Sequence, residues 1–401
     1  MISSRYRDDF PILRDERWEK PLVYLDNACM TLKPKRVVDK LVEYYTQYPG
    51  CGGRSLHKIT ARVTEEFEGA REKVADFLNC PETEGIVFTK NTTESINLVS
   101  HSFPFEKGDI VLGTDHEHNS NLVPWLLAEK ERGIDYRVLP SSEDHSFDIE
   151  RFKEEVKGVR LVSMVHVSNL DGRRIPVRDI TEIAHDNGAM VFFDCAQSVP
   201  HMRLDMTGLD IDLLAFSGHK ACGPTGTGVL AGKVDLLRDM KPFIAGGDTV
   251  RETTYHSVDF LDPPKRFEAG LQNYAGMIAM GEGLRYLEGI GLEEIERHEK
   301  ELNRYASNGL PDQVRIRGPE KPEDRGGILP FNITGLNSHD IAMMLDEFSN
   351  IEVRSGRHCV HSWFNSREEE STARASFYLY NNKEEVDAFI GTIERIIEDF
   401  L

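Results

Sequence analysis

Between residues 60 and 235 the apolar positions fall in short unbroken runs separated by stretches of helical spacing. Residues 85–88 (GIVF), 109–113, 158–167 (GVRLVSMVHV), 189–193 (AMVFF) and 210–216 (DIDLLAF) read as strands, with 229–231 (VLA) as a returning strand. A helix is expected from about Thr93. Another is expected over 180–187, closed by Gly188, a residue suited to a left-handed cap. Short strands that are apolar throughout and alternate with helices predict a mostly parallel sheet covered on both faces. Beyond residue 275 the pattern changes. Helical spacing over 276–299, broken at Gly289 and Gly291, leads to a strand at 327–331 and a helix at 339–348. Strands at 351–353 and 373–380 and a last helix at 384–400 follow. The expected fold class is α/β: a large domain over 21–280, with a mostly parallel mixed sheet flanked by helices, and a smaller α+β domain over 281–401. Residues 1–20 are expected to pack on the smaller domain.

The chain has 401 residues, 39% of them hydrophobic, which permits a large core divided between two domains. Its net charge of −20 argues against nucleic acid as a main ligand. No apolar run approaches the ~18 residues of a bilayer span, so no membrane association is expected. The first 18 residues are charged throughout and lack the apolar core of a signal peptide. Six scattered cysteines without a C-x-x-C pair point away from a disulfide framework or a zinc site and toward a reducing cytoplasm. No metal is expected.

Ligands in such sheets bind beyond the carboxyl ends of the strands, where the chemistry-bearing residues fall. Asn169 follows one run, Asp194 and Gln197 (DCAQ) another, and 216–228 (FSGHKACGPTGTG) a third. Lys220 leaves a buried strand beside Ser217 and His219. An apolar setting that depresses its pKa would make it a nucleophile suited to Schiff-base chemistry. Ser217, His219 and nearby backbone N–H groups could anchor a phosphate, and Thr93 at a helix start sits where the macrodipole favours an anion. The GPTGTG turn lacks the Gly-Lys-Ser/Thr of a nucleotide loop. Asp194 at a buried strand end needs a cation or hydrogen-bond donor, and a protonated pyridine nitrogen would be a natural partner.

The Asp-x-x-Gln turn, its Asp194 26 residues ahead of the lysine of Ser-Gly-His-Lys, resembles the class V branch of fold-type I pyridoxal 5'-phosphate enzymes. Further motifs extend the resemblance along the chain: 24–28 (YLDNA), 54–57, 91–97 (NTTESIN), 117–125 (EHNSNLVPW), 166–169 (HVSN), 267–273 (FEAGLQN), 353–359 (VRSGRHC) and 374–381 (RASFYLYN). The set is most similar to Suf-type cysteine desulfurases and selenocysteine lyases. The resemblance implies that Lys220 carries the cofactor, His118 stacks on its ring and assists proton transfer, Asp194 pairs with the ring nitrogen and Gln197 meets the ring hydroxyl. Thr92, Thr93, Ser217 and His219 would hold the phosphate. Asn169 and Arg374 would bind the substrate carboxylate, with Arg354 as a second active-site arginine and Ala28 and His57 completing the substrate pocket. Cys359 would take sulfur from L-cysteine as a persulfide, leaving L-alanine. Its neighbours Arg354, Arg357 and His358 are expected to favour the thiolate.

The implied partners are a second copy of the chain and a sulfur-acceptor or iron–sulfur scaffold protein. The alternative is selenocysteine lyase or another class V reaction that does not use Cys359. Two departures stand out. Leu271 and Gln272 replace the usual Thr-Pro of FEAGTPN, which removes a phosphate contact to the other subunit. Cys29 and Cys51 lie in loops near the expected site, where a packing role is expected ahead of a sulfur relay.

Overall fold

The computed structural model describes residues 2–401 except Arg54 and Glu143. Arg54, the first residue of the 54–57 motif, therefore lies outside the described residues.

A seven-stranded sheet is built from β1 (Ile86–Thr89), β2 (Ile110–Thr114), β3 (Asp135–Leu139), β4 (Val159–Val165), β5 (Met190–Asp194), β6 (Leu213–Ser217) and β7 (Gly228–Gly232), in the order β1-β7-β6-β5-β4-β2-β3. The pairs from β6 through β3 are parallel, and β7 runs antiparallel to both of its neighbours. Each central strand is buried on both faces because alternate residues enter different apolar clusters. In β5, Val191 and Phe193 join one cluster and Phe192 the other. This two-sided burial is why the strands read as unbroken apolar runs in the sequence.

The helical stretch after 273 is two helices, Tyr274–Ile290 and Leu292–Gly309. They are separated at Gly291, whose φ of 97° is open to glycine and strained for other residues. A four-stranded antiparallel sheet follows, ordered Val314–Ile316, Ile328–Ile333, Thr372–Ser376, Arg354–Gly356. Leu329, Phe331, Ala373 and Ala375 pack there with Ile341, Leu345, Phe389 and Ile393 of the helices Ser338–Ser349 and Lys383–Phe400. The N-terminal segment packs on residues within 281–401: Phe10 packs on Tyr286 and Tyr380, and Arg7 bonds the Tyr380 carbonyl and Glu385. Among the described residues, no helix is long and apolar enough to cross a membrane.

Candidate active site

The carboxyl ends of β4, β5 and β6, the start of helix Thr92–Ser102 and the 354–374 region of the smaller sheet enclose a cavity of about 240 Å³. Its lining includes Ala28, Thr92, Thr93, His118, Asn169, Asp194, Gln197, Ser217, His219, Lys220, Arg354, Cys359 and Arg374. Every expected site residue except His57 is thereby brought together. His57 stands outside, capping helix Lys58–Leu78 by accepting from the Thr60 N–H.

One end of the cavity is a set of hydroxyls at a helix start. Asn91 caps helix Thr92–Ser102, and the Thr92 N–H and hydroxyl meet Ser217 Oγ at 2.9 and 2.7 Å. Thr93 Oγ1 lies 2.7 Å from Ser120 Oγ, which in turn lies 3.0 Å from His118 Nδ1. These groups, with the helix N-terminus behind them, can hold a dianion. Ser120 was not singled out in the sequence. Its signal is the capping position, since His118 caps helix Asn119–Arg132 by accepting from the Ser120 N–H.

The other end is a buried carboxylate. Asp194 accepts the Ala196 N–H at 2.9 Å. Burial raises its pKa, against the pull of that N–H and of Lys220. Gln197 Nε2 donates to the Ala28 carbonyl at 2.6 Å, leaving Oε1 buried without a partner. Between the two ends is Lys220. Burial lowers its pKa, Asp194 opposes that, and Arg374 adds to it. The amine is thus shifted toward its nucleophilic form. His118 is held neutral, its pKa pushed down to about 3 by burial and then by Lys220 and Arg374.

Arg354 and Arg374 are directly paired across two antiparallel strands, so their side chains share a face. Buried Arg374 donates to the Asn169 carbonyl at 2.7 Å and lies 3.5 Å from Asp26, and its Nε has no partner. Asn169 Oδ1 is likewise buried and unpartnered. These atoms can receive a carboxylate.

Cys359 is exposed at the cavity mouth, on a turn where it and His358 both adopt left-handed backbone (φ 59° and 49°). Two bonds fix the turn: Asn169 Nδ2 donates to the His358 carbonyl and the Asn119 N–H to the Cys359 carbonyl, both at 2.7 Å. The cationic surroundings expected for Cys359 are only partly realised. Arg357 turns away to the Glu370 carbonyl and Asn365, and His358 is buried against Thr372. Burial, then Arg374 and Arg354, push the pKa of His358 well down, so it carries no charge. Arg354 points instead at Cys29, with Nη1 3.7 Å from Sγ. Cys29 lines the cavity. Cys51 is not among the lining residues and stays half-buried.

A parallel-centred sheet whose strand ends present this lysine, carboxylate and hydroxyl set defines a class. The profile described as "Aminotransferase class-V" matches residues 23–389, and the chain belongs to that family. A protein named probable cysteine desulfurase from Synechocystis is 40% identical over 406 residues, covering 100% of this chain and 96% of its own. The solved apo cysteine desulfurase of Thermococcus onnurineus has a TM-score of 0.94 at 37% identity, covering 99% of this chain and 98% of its own. The Escherichia coli cysteine desulfurase CsdA has a TM-score of 0.91 at 33% identity, covering 100% and 99%.

Proposed function

We propose that this protein is a pyridoxal phosphate-dependent cysteine desulfurase that moves sulfur from L-cysteine to Cys359. The observation that carries the reading is an exposed thiol, pinned on a left-handed turn, over the same cavity that holds Lys220 and Asp194. The residues fit the cofactor. The hydroxyl-lined helix start matches a phosphate. Asp194, buried with one backbone donor, matches a protonated ring nitrogen, and the unpartnered Gln197 oxygen is free to accept from the ring hydroxyl.

Bound pyridoxal phosphate supplies an electron sink for the substrate α-carbon. Thr92, Thr93, Ser217 and His219 would hold its phosphate. Asp194 would keep a proton on the ring nitrogen, and neutral His118 would stack on the ring. Arg374 and Asn169 bind the substrate carboxylate, with Arg354 beside them. The Lys220 amine removes the α-proton and returns a proton to the substrate. The Cys359 thiolate then attacks the substrate sulfur. A sulfur–sulfur bond forms, the carbon–sulfur bond breaks with its electron pair leaving to carbon, and His118 moves a proton at that end. The products are L-alanine and a persulfide on Cys359, which passes to an acceptor or iron–sulfur scaffold protein. A homodimer is supported by exposed apolar side chains at Leu56, Tyr255 and Leu271. Six free cysteines suit a reducing cytoplasm.

Alanine and sulfide release from L-cysteine with a thiol reductant tests the reading. Wild type is expected to yield both, and Cys359→Ser neither, while cofactor absorbance is retained. Equal yield from Cys359→Ser would remove Cys359 from the reaction. No product from a wild type that holds the cofactor would overturn L-cysteine as substrate.

A further inference from the structure

Three donor atoms converge outside the cavity described above. His116 Nε2 comes from the loop after β2, His145 Nδ1 from just ahead of helix Ile149–Glu155, and Asp171 Oδ2 from the turn after β4. The two nitrogens are 3.4 Å apart, and Asp171 Oδ2 lies 3.5 Å from His116 and 3.1 Å from His145. A zinc ion with bonds of about 2.0–2.1 Å holds tetrahedral donors about 3.3–3.4 Å apart. The three atoms therefore already stand as three corners of such a site. We propose that His116, His145 and Asp171 bind one zinc ion, with water as the fourth ligand.

The surroundings match those of a metal site. Asp115 Oδ1 accepts from His116 Nδ1 at 2.8 Å, which orients the ring and leaves Nε2 free to ligate. Asp115 is itself fixed by the Ser141 N–H and hydroxyl, at 3.1 and 3.0 Å. Asp171 Oδ1 accepts the Arg173 N–H at 3.1 Å, leaving Oδ2 for the histidines. His116 and Asp171 are buried and His145 is half-buried, so the ion would be sheltered with one side open. A cavity of about 20 Å³, lined in part by Asp115, His116 and His145, has room for one water. Two imidazoles and one carboxylate favour zinc over magnesium or calcium. The competing occupant is a proton. Burial drives His116 toward neutrality, but Asp171 and Asp115 outweigh it and hold its pKa at about 9.

The position gives the ion a role as a clamp. A single residue separates His116 from His118 and Asp171 from Asn169, and His118 and Asn169 are both on the cavity wall. The Trp363 ring lies 5.8 Å from His116 and 5.5 Å from His145. It belongs to helix His361–Ser366, just after Cys359. One ion would tie the two segments that hold the Cys359 turn, through Asn119 and Asn169, to the segment carrying His145. Cysteine spacing gives no sign of this site, because none of its ligands is a cysteine.

The test is zinc uptake by the chelator-stripped full-length chain, in a Cys359→Ser background so that the exposed thiol cannot contribute. Elemental analysis after gel filtration is expected to find one zinc per chain, and cobalt in its place should give the absorption of a tetrahedral ion. Asp171→Asn and His145→Gln should lose stoichiometric binding, and Asp115→Asn should weaken it about 10- to 100-fold. Zinc should raise the unfolding temperature of the parent and leave that of His145→Gln unchanged. If Asp171→Asn does not fold, His145→Gln, altered at a half-buried position, decides the question. Substoichiometric zinc in the parent, or full uptake by His145→Gln, would overturn the site and leave a proton-held ion cluster.

Discussion

Asp194 is a buried carboxylate with one backbone donor and a raised pKa, a costly arrangement unless a cation completes it. Asp194→Asn keeps the shape and removes the charge. Cofactor should still be retained through Lys220 and the hydroxyl set, while kcat falls at least about 100-fold, the scale of a lost electrostatic contact to the reacting system. Equal kcat in the variant would remove Asp194 from the chemistry. The histidines make a second residue-scale prediction. Burial holds His118 and His166 at about 3 and His358 well below its usual value, against 6.5 for a free side chain. Between pH 6.5 and about 3 the unfolded chain binds protons that the folded chain refuses, so stability falls as pH is lowered through that window. Melting curves of the cofactor-free protein should show this loss, and His166→Gln should reduce its slope. Most of the site was legible because strand-end residues follow from the apolar runs. The directions of Arg357 and His358 were not, because two successive left-handed residues turn the chain, and a sequence of ordinary residues gives no sign of that.

At the scale of elements, the helix that starts at Thr92 is seated by close approach to β7. A Cβ on Gly228 would stand 2.5 Å from the Asn91 Cα, which is backbone and cannot swing aside. Gly228→Ala should cost about 1–3 kcal/mol of stability. It should also weaken cofactor retention, since the displaced turn carries Thr92 and Thr93; unchanged retention in a destabilised variant would separate the helix seat from the phosphate site. A second constraint pins the FEAG segment. Arg71 and Glu268 form a buried two-point pair at 2.7 and 2.9 Å, and Glu268 also accepts the Phe88 N–H. Glu268→Ala leaves the buried guanidinium only the partly exposed Glu68 carboxylate and the Ile86 carbonyl, and should cost about 3 kcal/mol, read as a lowered denaturant midpoint. The strands missed from the sequence were those without continuous apolar runs. Edge strand β3 (DYRVL) is charged and partly exposed, and the hairpin Val250–Thr253 with Val258–Phe260 is largely exposed. The expected strand at 373–380 ends at Ser376. Beyond it, Tyr378 and Tyr380 are buried and spend their hydroxyls on the Pro200 carbonyl and on Asn27. Aromatic composition gave a β pattern to residues whose hydrogen bonds lie outside any ladder.

For the whole molecule, two sheets with separate apolar clusters account for the change of pattern near residue 275, and the cavity lies where they meet. What a single chain leaves unexplained is its outer surface. Leu271 is 64% exposed, Tyr255 and Leu56 more so, on a chain of net charge −20 that otherwise favours separation of copies. The Leu271 segment is anchored beside the cavity-forming loops: Asn273 caps helix Tyr274–Ile290 and donates to the Gly226 carbonyl, six residues past Lys220. In a two-fold dimer the Leu271 segment would bury its counterpart, or the hairpin around Tyr255, twice over. Burying a leucine is worth about 1.5–3 kcal/mol. Leu271→Asp should therefore raise the dissociation constant at least about tenfold, shifting sedimentation toward the mass of one chain, and Leu271→Met should not. A wild type that sediments as one chain at micromolar concentration would overturn the dimer. A dimer indifferent to Leu271→Asp would move the contact away from this segment, and with it the expectation that Leu271 stands where relatives reach across to the other subunit.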